Sequence, residues 1–185
     1  MENSQKEEYA IILDFLPNGY PFDTKPAHRK LPVAQAIGEK TFALLELAPK
    51  KEVNLQPNQR VYVGEGKRDE IHHIVGRILL DRLTQTARGE LDFVIKELVT
   101  NNPQPFLDFF NKCGSINARR HQLELLPGIG KKHMWEILEQ RKEKPFENFD
   151  DIKKRIKLLP NPEKSVIKRI LLELNEDDKY KIFTR

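Results

Sequence analysis

Cysteine is almost absent from this 185-residue chain: Cys113 stands alone, which excludes an internal disulfide and any cysteine-based zinc site. Tryptophan also occurs once, and methionine twice. No apolar run approaches the roughly 20 residues that a membrane-spanning helix needs. The opening residues, MENSQKEEYA, place no apolar stretch behind a basic start, so no secretory signal peptide is expected. A soluble, cytoplasmic protein without a membrane partner is the expectation. Wholesale disorder is excluded, because hydrophobic residues make up 38% and charged residues 32% with both signs mixed. The length suffices for one large domain or two small ones, either with its own core.

The net charge is only +4, but it is unevenly spread. Of 32 Lys/Arg and 28 Asp/Glu, 15 and 16 lie at or before Gly114, leaving 17 basic against 12 acidic residues beyond it. An anionic partner is better met by the C-terminal region.

The first eighty residues read as strands. Tyr9, Ile11, Leu13 and Phe15 alternate with Ala10, Ile12 and Asp14, the two-residue period of a half-buried strand. Residues 41–48 (TFALLELA), 60–64 (RVYVG) and 71–80 (IHHIVGRILL) are further strand candidates, separated by Pro, Asn and Gly turns. Short strands in one small unit predict a compact antiparallel β-barrel, OB-like in type, over residues 1–83. The period then changes. Leu91, Val94, Ile95, Leu98 and Val99 form one apolar helix face, and Asn101-Asn102-Pro103 ends that helix. A short helix follows through Phe106, Phe109 and Phe110, so residues 84–114 are expected to connect two halves. From Ser115 everything reads helical, which makes the whole chain α+β.

That helical half contains a repeat. LLPGIGKKHMWEIL (125–138) aligns without gaps on LLPNPEKSVIKRIL (158–171), with six of fourteen positions identical at an offset of 33. Two helix–turn–helix units are expected to pack on each other. Met134, Trp135 and Leu138 are predicted to point inward from the first unit, and Val166, Ile167, Ile170, Leu171 and Leu174 from the second. Asp150 or Asp151 is placed to cap the helix through Ile152 and Ile156.

The first turn, 126–132, has the chemistry of a phosphate clamp. At a helix N-terminus the leading N–H groups lack intrahelical partners, and the helix dipole adds positive charge. Gly128 and Gly130 let an anion approach those amides, Pro127 stiffens the turn, and Ile129 plugs back into the core. Lys131 and Lys132 add full charge. Such a device grips a sugar-phosphate backbone without reading bases. In the second unit Asn161, Pro162 and Glu163 replace the glycine motif, so that hairpin is expected to be degenerate, a packing partner flanked by Lys153, Lys154, Arg155, Lys157 and Lys164.

Residues 119–141 resemble the helix-hairpin-helix family, whose hairpin is Leu-Pro-Gly-hydrophobic-Gly followed by a basic residue. The resemblance implies backbone binding with Gly128, Ile129 and Gly130 as amide donors, and in some members a monovalent cation at the hairpin carbonyls. Pro127, Lys131, Lys132, Arg119 and Arg120 complete the expected binding set. On a longer scale, RVYVGEGKRDEIHHIVGRI, FFNKCGSINARRHQLELLPGIGKKHM and PFENFDDIKKRI look like an archaeal family of uncharacterised proteins to which RNA binding is ascribed. That resemblance spans roughly residues 9–182. It implies an OB-like barrel ahead of a tandem helix-hairpin-helix domain (115–185), with RNA favoured over DNA as partner.

Other chemistry competes with this. A DNA glycosylase or lyase of the helix-hairpin-helix class would use Lys132 and Asp150, whose spacing fits. The β-rich first half does not fit such an enzyme, so a non-enzymatic binding protein without cofactors is expected. A DNA-binding module of the same class, or an adaptor that docks on a protein of the RNA machinery, is the other alternative. His72 and His73, adjacent on a strand, are expected on opposite faces, unable to share a metal. His28, His121 and His133 show no ligand spacing. Lys67 and Arg68 could touch nucleic acid at a hairpin tip, and Tyr20, Phe22 and Tyr62 could stack on bases.

Overall fold

A computed structural model describes residues 6–175 and 179–184. The chain is α+β and divides inside one helix, between Val94 and Ile95, into two compact units, with Phe183 and Thr184 belonging to the first.

The first unit is a five-stranded antiparallel sheet. Strands β1 (Tyr9–Leu16), β2 (Val33–Gly38), β3 (Leu44–Pro49), β4 (Arg60–Tyr62) and β5 (Ile71–Arg77) lie in the order β4-β1-β2-β3-β5. The sheet curls into a half-barrel around Ala10, Ile12, Ala36, Leu45, Leu47 and Ile71, all buried. No pairing joins edge strands β4 and β5 among the described residues, so the closed barrel read from the strand pattern is an open one. Bulges strengthen twist and bend a strand. The β1–β2 register slips between Ile12 and Asp14, and the β3–β5 register slips twice. Ile12 and Leu13, on either side of strict alternation, are both buried, but only Ile12 belongs to the half-barrel core.

Strand β2 was not anticipated. It is the central strand, and five of its six residues are buried, so it shows no alternation. Its buried Gln35 is fully used: the amide nitrogen donates to the Tyr20 hydroxyl (3.0 Å) and the Arg82 carbonyl (2.9 Å), and the amide oxygen accepts from Thr84 N–H (2.8 Å). The Thr84 hydroxyl accepts from Ala87 N–H at the start of helix α1 (Gln85–Asn101).

The second unit runs through α2 (Gln104–Lys112), a small hairpin of β6 (Ser115–Asn117) and β7 (Arg120–His121), and helices α3 (Lys131–Glu143), α4 (Phe149–Arg155) and α5 (Pro162–Asn175). The β6–β7 hairpin corrects the all-helical reading from Ser115. Asn117 drives it, its side-chain oxygen accepting from Arg119 N–H (2.9 Å) to close the turn. Only a 3-10 turn, Gln122–Leu125, precedes the glycine hairpin, where residues 119–141 had suggested a full helix.

Helix α4 is capped by Asn148, which accepts from Asp151 N–H (2.8 Å); Asp150 and Asp151 stand in its first turn, where negative charge suits the helix dipole. Trp135 is 61% exposed, and Ile137 takes the buried place beside Met134. In α5, Val166 and Ile170 are buried as expected, but so is a polar row of Ser165, Arg169 and Glu173. Arg169 and Glu173 form a buried ion pair (2.8 Å), and Glu173 also accepts from Ile182 N–H (2.9 Å). No helix among the described residues is long and apolar enough to cross a membrane.

Candidate nucleic-acid interface

The glycine hairpin is held rigidly from behind. His121 and Glu124 form a reciprocal capping box ahead of it: His121 Nδ1 accepts from Leu123 N–H (3.1 Å), and Glu124 accepts from His121 N–H (2.8 Å). Burial, with the Arg141 guanidinium nearby, lowers the His121 pKa, in line with this acceptor role. Leu126 N–H then bonds the Leu123 carbonyl, and Ile129 N–H bonds the Leu126 carbonyl (both 3.1 Å). Ile129 is buried, plugged inward between two exposed glycines.

The two glycines have different roles. Gly128 has φ +86°, a left-handed conformation, and a Cβ there would lie 2.8 Å from Pro160 Cγ of the second hairpin. Gly128 is thus demanded by the fold itself. Gly130 is extended (φ −93°, ψ −177°), and a Cβ there would meet nothing within 4 Å. Neither backbone conformation nor internal packing requires glycine at position 130.

The remaining hairpin donors are unused. Ile129 N–H, expected to contact phosphate, is used internally. The amides of Gly128, Gly130, Lys131, Lys132 and His133 have no acceptor among the described residues. Gly130 is the N-cap of α3 and supplies no side-chain cap. The two helices that follow are treated otherwise: Asn148 caps α4, and Asn161 accepts from Lys164 N–H (3.2 Å) at the start of α5, whereas α2, behind Pro103, has no side-chain cap either. Lys131 and Lys132 are exposed and form no ion pair among the described residues. The carbonyl of Pro127 accepts from the Ser165 hydroxyl (2.9 Å), so this hairpin carbonyl already has a protein donor.

The second hairpin backs the first. Pro160 sits against Gly128, Pro162 is buried, and Glu163 accepts from the Thr100 hydroxyl (2.7 Å). Leu158, just before it, is 88% exposed with φ +61°. Lys154, Lys157 and Lys164 are exposed without an ion pair among the described residues; Lys153 pairs with Asp150 (3.5 Å). Arg155 turns inward instead, paired with Asp151 (3.3 Å), donating to the Lys144 carbonyl (2.8 Å) and lying over the Phe146 ring. Arg119 and Arg120 are exposed on the β6–β7 hairpin, with the Arg120 guanidinium 5.7 Å from the Tyr180 ring.

The other candidates have local roles. Lys132 and Asp150 are both exposed, and Asp150 already pairs with Lys153. Arg68 donates to the Gly64 carbonyl (2.8 Å) beside a cavity of about 380 Å³ that Lys6, Glu65 and Arg77 also line; Lys67 is exposed. Tyr62 accepts from Gly66 N–H (3.0 Å) and meets Tyr9 edge-on. Tyr20 donates to Glu46 (2.6 Å) and stacks on Phe22, which is 71% exposed. His28 is exposed and His133 half-buried. His72 and His73 overturn the opposite-faces expectation: their Nδ1 atoms are 2.7 Å apart. The β3–β5 register pairs Pro49 with Ile71 and Ala48 with His73, so His72 is the extra residue of a bulge, which re-aims its side chain. No group of three or more metal-ligating side chains occurs among the described residues.

Comparison with known proteins places the whole chain. It is 45% identical over 181 residues to the uncharacterised protein MJ0038 of Methanocaldococcus jannaschii, covering 97% of this chain and 80% of that one. The crystal structure of Af1531 from Archaeoglobus fulgidus superposes with a TM-score of 0.87 at 46% identity, over 97% of this chain and all of that one. The model of a family described as protein of unknown function, DUF655, matches residues 6–185, and the chain belongs to that family.

Proposed function

We propose that this protein binds nucleic acid, RNA in preference to DNA, by gripping the sugar-phosphate backbone at residues 126–132, and that it is not an enzyme. The supporting observation is the uncapped start of α3: amides at Gly128, Gly130, Lys131 and Lys132 without partners, in a unit where α4 and α5 are each capped by an asparagine. Converging amides at a helix N-terminus attract an anion, and two unpaired lysines extend the attraction to neighbouring phosphates. Gly130 keeps the approach clear. The preference for RNA rests on the resemblance given above. In this reading the second hairpin is the degenerate member of a tandem helix-hairpin-helix, there to hold the first.

The test is fluorescence anisotropy with single-stranded RNA, duplex RNA and duplex DNA over a series of salt concentrations. A clamp that engages about three phosphates gives a log–log salt slope of roughly −2 on single strands. Affinity that neither depends on salt nor exceeds non-specific levels would end this reading and favour a protein partner.

A further inference from the structure

The second unit leaves an aromatic side chain outside its core, beside the hairpin. Trp135 is the only tryptophan in the chain, and it is 61% exposed. Tryptophan is among the most buried residues on average, because its large apolar surface is costly to leave in water. Packing does not account for this one. Its ring and its N–H have no partner among the described residues. The repeat shows that the position itself is a surface one, since Trp135 aligns on Lys168, also exposed.

Its place on α3 gives the exposure a purpose. Trp135 follows Lys131 by four residues and Lys132 by three, so all three lie on one helix face. Helical side chains lean toward the helix N-terminus, which carries the indole toward Gly130. The rise from Gly130 to Trp135 is about 7.5 Å along the helix axis.

We propose that Trp135 stacks on an unpaired base of the strand whose phosphates the glycine hairpin holds, which makes the ligand single-stranded. The proposal rests on the hairpin reading above and adds the substrate class to it. Stacking on an aromatic ring is how unpaired RNA bases are commonly held, and it tolerates any base because every base has a π-face. A paired base is buried in its own stack and cannot make this contact along a duplex. The lysines then supply charge, and the indole selects single strands.

The chain's one tryptophan is its own reporter. Titrating the full chain with a single-stranded adenosine RNA is expected to quench Trp135 emission, while a long RNA duplex leaves it nearly unchanged. Trp135→Ala, followed by anisotropy of labelled RNA, is expected to lose about tenfold in single-strand affinity with the salt slope unchanged. Duplex affinity stays at the wild-type level, and Trp135→Phe recovers most of the loss. Urea unfolding followed by circular dichroism checks that both variants fold. Salt-dependent binding with no quench, or Trp135→Ala binding single strands as wild type does, overturns the stacking contact and leaves the hairpin grip standing. If wild type binds no polymer, the hairpin reading falls first and this proposal with it.

Discussion

Gly128→Ala tests whether the two hairpin glycines have separate causes. The substitution meets two obstacles, both read from the backbone. At φ +86° an L-residue is in the left-handed region, which costs roughly 1–2 kcal/mol. The new methyl would also lie 2.8 Å from Pro160 Cγ and 3.3 Å from its Cβ, and crowding of this kind costs about 1–3 kcal/mol. Against this, alanine reduces the freedom of the unfolded chain by about 0.5 kcal/mol. The net expectation is a loss of about 3 kcal/mol. Urea unfolding followed by circular dichroism measures it directly. The control is Gly130→Ala, where the backbone is extended and the methyl points into open space. There the weaker N-cap preference of alanine, about 0.5 kcal/mol, is offset by the same unfolded-chain term, so little net change is expected. A Gly128→Ala variant as stable as wild type, or one no less stable than Gly130→Ala, would refute this division of roles.

Other expectations follow from single residues. Leu158 has a left-handed φ of +61° while its side chain is 88% exposed, so Leu158→Gly should be more stable than Leu158→Ala by about 1 kcal/mol in the same urea assay; equal stabilities would show no strain at this site. Glu173→Gln removes the carboxylate charge from the buried pair with Arg169 and should destabilise by about 3 kcal/mol, whereas a loss below about 1 kcal/mol would mean that the pair is solvated. Burial, helped by the hydrogen bond to Glu46, raises the Tyr20 pKa to about 12. The folded state thus holds this proton more tightly than the unfolded one, and the stability contributed is present below pH 10 and lost as pH rises toward 12. Tyr20→Phe should flatten that part of the stability–pH curve, and an unchanged curve would contradict the assignment.

Much of this structure could be read from sequence, and the failures have physical causes. The 3.6-residue period of α1 and the turn chemistry around 126–132 are local signals, and local signals survive in a bare sequence. Strand β2 was missed because a central strand buried on both faces loses its alternation, and its Gln35 reads as polar although three hydrogen bonds satisfy it. The His72–His73 pairing depends on a bulge against Pro49, a long-range register that neither residue encodes alone. Ile129 N–H looked free because the bond to Leu126 exists only once the turn has formed. Trp135 was assigned to the core on residue type; its alignment with Lys168 was available in the sequence and pointed the other way.

The most direct test of the phosphate grip is the affinity of Gly130→Asp for single-stranded RNA, measured beside its stability. Aspartate is a favoured N-cap, so its carboxylate should take the free amides of α3 and hold stability level or raise it by a few tenths of a kcal/mol. The same carboxylate occupies the anion position and repels phosphate. A variant at least as stable as wild type whose RNA affinity falls at least tenfold is the predicted result. Undiminished affinity in that stable variant would contradict the account.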